Sequence, residues 1–152
     1  MLQHPDLAAQ LGRAIADSVR ALNPNVVFSP ALGGIVIGQE AGRALGVRAI
    51  FAERVDGRLA LRRGFQMSPE DRAVVVEDVI TTGGSTRETI DVAVAAGAAV
   101  LAAASIIDRG TQPSRLNVPR FSLVKLEVPV YEPESCPMCA RGEPVVKPGS
   151  RT

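Results

Sequence analysis

The sequence predicts an α/β fold with an open, mostly parallel sheet flanked by helices. Short aliphatic runs alternate along the chain with segments of helical periodicity. The residues are 46% hydrophobic but only 3% aromatic, a composition that suits helices packed on a buried parallel sheet. A chain of 152 residues fits one domain. We therefore predict a core domain at 1–130 and an irregular Pro- and Cys-containing tail at 131–152.

The first third of the chain predicts helix, strand, glycine-rich loop and helix. Asp6 precedes an amphipathic helix, and Pro24 closes it. Its apolar positions have helical spacing: Leu7, Leu11, Ile15, Val19 and Leu22. Residues 26–28 form a short apolar strand, and a loop at 29–34 leads into a helix at 35–45 that ends at Gly46.

A β-hairpin follows this helix. Residues 49–55 and 58–62 flank Asp56-Gly57, a dipeptide that takes the positive φ angles of a two-residue hairpin turn. The hairpin is strongly basic, because it carries Arg54, Arg58, Arg62 and Arg63.

The second half of the chain repeats the alternation. Residues 74–76 predict a buried strand, and the spacing of Ser85 and Glu88 predicts a capping box that opens a helix ending at Gly97. Strands are predicted at 100–107 and 121–128. Because ligands bind beyond the carboxyl ends of parallel strands, the loops at 29–34, 77–86 and 108–110 are the candidate site.

Composition and charge argue against several classes of function. The net charge of +1 lacks the basic excess of a nucleic-acid binder. No apolar run predicts a membrane span or a signal peptide, so we expect a cytoplasmic protein. Cys136 and Cys139 have the spacing of half a zinc site, but the chain has no second pair and only His4 as histidine, so we predict no protein metal centre.

The loop after the central strand predicts a site for a sugar phosphate. A loop that leaves a strand and opens a helix directs free N–H groups and the helix dipole at an anion. Gly83 and Gly84 allow close approach of the backbone, whereas the absence of Lys argues against a Walker A loop. Glu77 and Asp78, just upstream, can accept hydrogen bonds from sugar hydroxyls. A plain capped turn beside a solvated acidic pair is the structural alternative.

The full string VVVEDVITTGGST, at 74–86, resembles the thirteen-residue phosphoribosyl pyrophosphate motif of type I phosphoribosyltransferases. Within that family nearly the whole chain, from about Leu2 to Arg151, resembles the orotate phosphoribosyltransferases. The resemblance implies that two carboxylates contact the ribose and that the following loop holds the 5-phosphate: Glu77, Asp78, Val79, Ile80, Thr81, Thr82, Gly83, Gly84, Ser85 and Thr86.

The same resemblance assigns the other parts of the site. Ala31, Leu32, Gly33 and Gly34 resemble the loop whose backbone amides meet pyrophosphate. Thr81 and Arg109 are expected to contact the orotate, and the guanidinium of Arg109 suits the orotate carboxylate. The alternative is a surface ion pair of Arg109 with Asp108 or Glu77. The basic hairpin takes the place of the mobile catalytic loop, with Arg54 and Arg58 as candidate catalytic residues or, equally, as a solvated ribbon.

The resemblance further implies phosphoribosyl pyrophosphate and orotate as substrates, Mg²⁺ as cofactor and a homodimer. A purine phosphoribosyltransferase and a regulator that binds nucleic acid are the alternatives. Orotate phosphoribosyltransferases usually carry a hood segment before the first helix, which covers the base and supplies a lysine. This chain begins at that helix, so we expect an open base pocket and slow conversion of orotate.

Overall fold

The computed structural model describes residues 1–110 and 116–144. Its helices are α1 (Pro5–Val19), α2 (Gly33–Leu45), α3 (Gly84–Ala95) and α4 (Pro137–Ala140), with 3₁₀ turns at Arg20–Leu22 and Pro133–Ser135. Its strands are β1 (Val26–Pro30), β2 (Arg48–Val55), β3 (Arg58–Leu61), β4 (Arg72–Ile80), β5 (Ala99–Asp108) and β6 (Arg120–Lys125).

The strands form one six-stranded sheet in the order β3-β2-β1-β4-β5-β6. All neighbours run parallel except β2 and β3, which pair antiparallel as the predicted hairpin. The turn residues Asp56 and Gly57 have φ angles of 49° and 82°, which confirms the predicted turn. The predicted fold class is thereby confirmed.

Helices cover both faces of the sheet. Alternate residues of the central strands point to opposite faces, so Val74 and Val76 pack with Ile15 of α1 and Ile37 of α2, while Val75 packs on the other face with Ile90 of α3. This three-layer arrangement buries the aliphatic runs that the sequence showed. In the described part of the chain, no helix has the length and apolar character that a membrane crossing requires.

Several predicted boundaries were wrong, among them the end of the central strand, which runs on through Glu77 and Asp78 to Ile80. Helix α1 ends at Val19, and the chain continues to Leu22 as a 3₁₀ turn. Helix α2 begins two residues before the predicted start and takes in Gly33 and Gly34 as its first turn. Strand β6 stops at Lys125, because its partner β5 ends at Asp108, which pairs with Lys125. The boundary between core and tail stays a prediction, and the last residues of that tail lie outside the described range.

Candidate functional site

The predicted site segments meet at one edge of the sheet. The adjacent strands β1, β4 and β5 are parallel, so their carboxyl ends lie side by side. The amide of Arg109 donates to the carbonyl of Ile80 over 2.8 Å, which joins the segment after β5 to the loop after β4. The loop after β1 meets the same edge, as the contact between Gly33 and Asp78 described below shows. The structure therefore brings these three segments together.

Helix α3 begins at this edge with free backbone donors. Gly83 is the residue before its first turn and has a φ of 78°, a conformation that glycine tolerates best. The predicted capping box was wrong: the residue before α3 is Gly83, which has no side chain, and the carboxylate of Glu88 accepts a hydrogen bond from the amide of Leu59 instead. The hydroxyl of Thr82 accepts only a long hydrogen bond, of 3.4 Å, from the amide of Gly84. The remaining N–H groups of the first turn and the helix dipole make this terminus suitable for a phosphate.

The two acidic residues lie inside β4, and they leave it on opposite faces. Glu77 points to the α3 side, where the hydroxyl of Thr86 donates to its carboxylate. Burial raises the pKa of Glu77 above its ordinary value; the hydrogen bond from Thr86 lowers the pKa and the nearby charge of Asp78 raises it further. Glu77 is thus a half-buried carboxylate held beside the first turn of α3.

Asp78 points to the α2 side and touches the loop that follows β1. A Cβ atom placed on Gly33 would lie 2.6 Å from Oδ2 and 2.7 Å from Oδ1 of Asp78, so only glycine fits there. The amide of Val79 donates to Asp78 Oδ1 over 2.9 Å. The peptide between Ala31 and Leu32 is cis, and the amide of Ala31 donates to the carbonyl of Ala52. Asp78 therefore joins the two glycine-containing loops.

Helix α2 also begins at this edge. The residue before it is Leu32, and no side chain of the described residues caps this helix start. The first turn of α2 contains Gly33 and Gly34. Two helix starts thus face one cleft from neighbouring strands. Two such starts can hold two separate phosphate groups of one ligand.

Arg109 stands exposed at the end of β5. Its side chain makes no ion pair or hydrogen bond with the described residues, so the predicted alternative, a pair with Asp108 or Glu77, is not observed. Asp108 is buried and instead pairs with Arg120 of β6 over 3.1 Å, and it accepts the amide of Gly110 over 2.9 Å. This pair holds the segment that presents Arg109, and Thr81 lies exposed at the end of the neighbouring strand.

The hairpin arginines differ in their contacts. Arg63 makes two hydrogen bonds, of 2.7 and 2.8 Å, to Glu53, and these lower the pKa of Glu53. Arg54 pairs with Glu88 over 3.0 Å and donates to the carbonyl of Gly57. Arg58, beside the turn, makes no hydrogen bond or ion pair with the part of the chain that the structure describes. The hairpin thus holds Arg54 against α3 and leaves Arg58 available.

Sequence reasoning missed Glu88 and Arg120. Glu88 was assigned to a helix cap, and Arg120 lies twelve positions after Asp108, beyond any local pattern. Only the sheet order, which places β6 beside β5, brings Arg120 to its partner.

The carboxylates at this edge of the sheet would bind a divalent metal ion only together with oxygen atoms of a bound substrate. Among residues 1–110 and 116–144, no three His, Cys, Asp or Glu side chains cluster as a metal centre. Glu77 and Asp78 supply carboxylate oxygens near the two helix starts, and Mg²⁺ prefers such oxygens together with substrate phosphates. The donor chemistry is therefore that of a metal that arrives with its substrate.

Comparisons with solved structures agree with this geometry. A phosphoribosyltransferase from Corynebacterium diphtheriae superposes with a TM-score of 0.72 at 21% identity, covering 83% of this chain and 79% of that one. An orotate phosphoribosyltransferase from Mycobacterium tuberculosis H37Rv in complex with phosphoribosyl pyrophosphate superposes with a TM-score of 0.70 at 22% identity, covering 82% of this chain and 76% of that one. The fold is therefore that of the phosphoribosyltransferases.

Relatives in sequence show to which family of phosphoribosyltransferases the chain belongs. The orotate phosphoribosyltransferase of Chlorobium phaeobacteroides (strain BS1) is 48% identical over 152 residues, which is all of this chain and 79% of the relative. That of Heliobacterium modesticaldum (strain ATCC 51547 / Ice1) is 50% identical over 154 residues, with 100% and 81% covered. No protein-family model matches. At this identity and coverage, the chain belongs to the orotate phosphoribosyltransferase family.

Proposed function

We propose that the chain transfers the 5-phosphoribosyl group of phosphoribosyl pyrophosphate to orotate and releases orotidine 5-phosphate and pyrophosphate, a step of UMP biosynthesis. The observation that carries this assignment is the pair of helix starts that follow β1 and β4, neither capped by the side chain of its N-cap residue, with Asp78 in contact with the first of them. A ribose that carries a phosphate at C5 and a diphosphate at C1 offers one anionic group to each helix start. Residues 82–86 take the 5-phosphate, and residues 31–34 take the pyrophosphate.

The residues of the cleft act mainly by positioning. Substitution at the anomeric carbon passes through a sugar with cationic character, which neighbouring carboxylates stabilise. Glu77 and Asp78 accept hydrogen bonds from the ribose hydroxyls and fix the ring between the two helix starts. No nucleophilic side chain is needed, because orotate itself supplies the attacking nitrogen.

Arg109 recognises the carboxylate of orotate. It is exposed, it has no partner among the described residues, and its segment is held by the pair between Asp108 and Arg120. A guanidinium offers two parallel donors to a carboxylate. Thr81, at the end of the neighbouring strand, completes this side of the base site.

The hairpin supplies cationic charge to the departing pyrophosphate. Of its two candidate catalytic arginines, Arg58 is the one with an available guanidinium, whereas Arg54 is engaged by Glu88. We therefore assign the contact with pyrophosphate to Arg58 and a supporting role to Arg54. Mg²⁺, when bound with the substrate, neutralises charge on the pyrophosphate.

We further propose a homodimer in the cytoplasm. Leu32, just before α2, and Val36, on α2, are large apolar residues with 80% and 44% of their surface exposed. Val36 also lines a cavity of about 310 Å³ together with Phe51 and Phe65. Burying such a patch against a second copy is favourable. Sedimentation velocity of Val36→Asp against the unchanged chain tests this, since a charge in the patch favours the monomer. Both substrates are anions, which cross a lipid bilayer poorly, and this supports a cytoplasmic site of action.

Substrate choice tests the assignment directly. The purified chain, with phosphoribosyl pyrophosphate and Mg²⁺, is assayed with orotate, hypoxanthine and adenine, and pyrophosphate release is measured in each case. We expect release with orotate alone, and none after EDTA treatment. Release with a purine instead identifies a purine phosphoribosyltransferase, and no release with any base, despite binding of phosphoribosyl pyrophosphate, identifies a regulator.

A further inference from the structure

The hairpin and the phosphate-binding helix are joined by one carboxylate. Glu88 lies in the second turn of α3 and uses both oxygens: Oε1 accepts the amide of Leu59 over 2.7 Å, and Oε2 pairs with Arg54 over 3.0 Å. Leu59 belongs to β3 and Arg54 to β2, and the two residues face each other in the hairpin register. A single side chain of α3 thus contacts both strands of the hairpin.

The hydrogen bond to Leu59 satisfies a donor that the sheet leaves open. Strand β3 is the edge of the sheet and pairs only with β2. In an antiparallel ladder, opposed residues alternate between pairs that exchange hydrogen bonds and pairs that point their amides outward. Because the amide of Leu59 reaches Glu88, the pair of Leu59 and Arg54 is of the outward kind. The neighbouring pairs, Glu53 with Ala60 and Val55 with Arg58, are then the hydrogen-bonded ones.

Packing adds to this attachment. The side chain of Leu59 is 6% exposed and lies in one core cluster with Phe28, Ala52 and Ala93, the last of which belongs to α3. The ion pair with Arg54 is partly solvated, so water and salt weaken it. The backbone hydrogen bond to a carboxylate is the stronger of the two contacts of Glu88.

We propose that Glu88 is a positioning residue that fixes the hairpin to the helix whose start holds the 5-phosphate. Helix α3 begins at Gly84, one turn before Glu88, so Glu88 links the predicted phosphate loop to the end of the hairpin next to its turn. The hairpin tip with Arg58 is then held at a set distance from the phosphate end of the substrate. The kinetic consequence of this anchor rests on the proposed function, whereas the anchor itself does not.

Amide hydrogen exchange measured by NMR tests the anchor without substrate. In Glu88→Ala we expect the amide of Ala60, which does not touch Glu88, to exchange at least about tenfold faster, because the hairpin opens more often. Glu88→Gln keeps an acceptor for Leu59 and should lie in between. Asp91→Asn, which neutralises an exposed carboxylate on the same helix, is the matched control and should leave Ala60 unchanged. The amide of Val75 in β4 reports whether the whole fold is preserved.

Unchanged exchange of Ala60 in Glu88→Ala overturns the proposal. Steady-state kinetics then separate it from the proposed function. With the hairpin loosened, kcat should fall about tenfold while KM for orotate holds, and Glu88→Gln should recover part of the loss. Faster exchange with normal kcat keeps the anchor and refutes the catalytic role of the hairpin.

Discussion

A methyl group at Gly33 separates the two loops of the site. In Gly33→Ala the new Cβ would lie 2.6, 2.7 and 2.9 Å from Oδ2, Oδ1 and Cγ of Asp78. Reaching ordinary contact requires a shift of roughly 0.8 Å, and a misplacement of about 1 Å in a site costs up to about a hundredfold in rate. We expect kcat/KM for phosphoribosyl pyrophosphate to fall about 30- to 100-fold, which is about 2 to 3 kcal/mol of transition-state stabilisation. The melting temperature should change little, because alanine suits a first helical turn and Asp78 is partly exposed.

A double-mutant cycle checks the cause. Asp78→Ala removes all three atoms that the methyl group meets, at a cost in activity of its own. In that background Gly33→Ala should reduce kcat/KM by less than about threefold, so the two losses are strongly non-additive. Equal fold-losses from Gly33→Ala in both backgrounds would refute the idea that contact with Asp78 sets the spacing of the loops.

Three other perturbations follow from the site. Glu77→Gln removes a carboxyl whose pKa is raised by burial. The wild-type protein loses stability as the pH rises from 4.5 through that raised pKa, so the melting temperature of the variant should rise relative to wild type over this window. A difference in melting temperature that does not change with pH would contradict the raised pKa. Arg109→Ala should raise KM for orotate by about 10- to 100-fold with little change for phosphoribosyl pyrophosphate, and Arg109→Lys should recover part of it; equal changes for both substrates would make Arg109 structural. Arg58→Ala should lower kcat more than Arg54→Ala, and the reverse order would reassign the contact with pyrophosphate.

Local patterns in the sequence predicted what local physics decides. The turn at Asp56 and Gly57 follows from two residues that accept positive φ, and the aliphatic run around Val75 is buried on both faces of β4 as expected. The placement of three loops at one edge follows from parallel strands. These features depend on neighbours in the chain and were predicted correctly.

Contacts between distant segments decided the rest. Ser85 and Glu88 have the spacing of a capping box, but Glu88 finds the open amide of Leu59, which lies 29 positions earlier. Strand β6 ends where its partner ends and not where its own apolar residues end. The opposite directions of Glu77 and Asp78 follow from β4 extending to Ile80, past the apolar run from which the strand was predicted. A single sequence carries no signal for any of these partners.

The pairing of β1 with β4 in the sheet also bears on how ligand binding protects the protein from proteolysis. The whole hairpin lies between these strands in the chain, so they pair only when distant segments have met. A substrate that bridges the loops after both strands binds only the native chain, because partly unfolded molecules lack the complete binding site. At a hundred times its dissociation constant, such a ligand adds about 2.7 kcal/mol to the free energy of unfolding. Because proteases act on opened molecules, we expect a fall in phosphoribosyl pyrophosphate to shorten the lifetime of the protein.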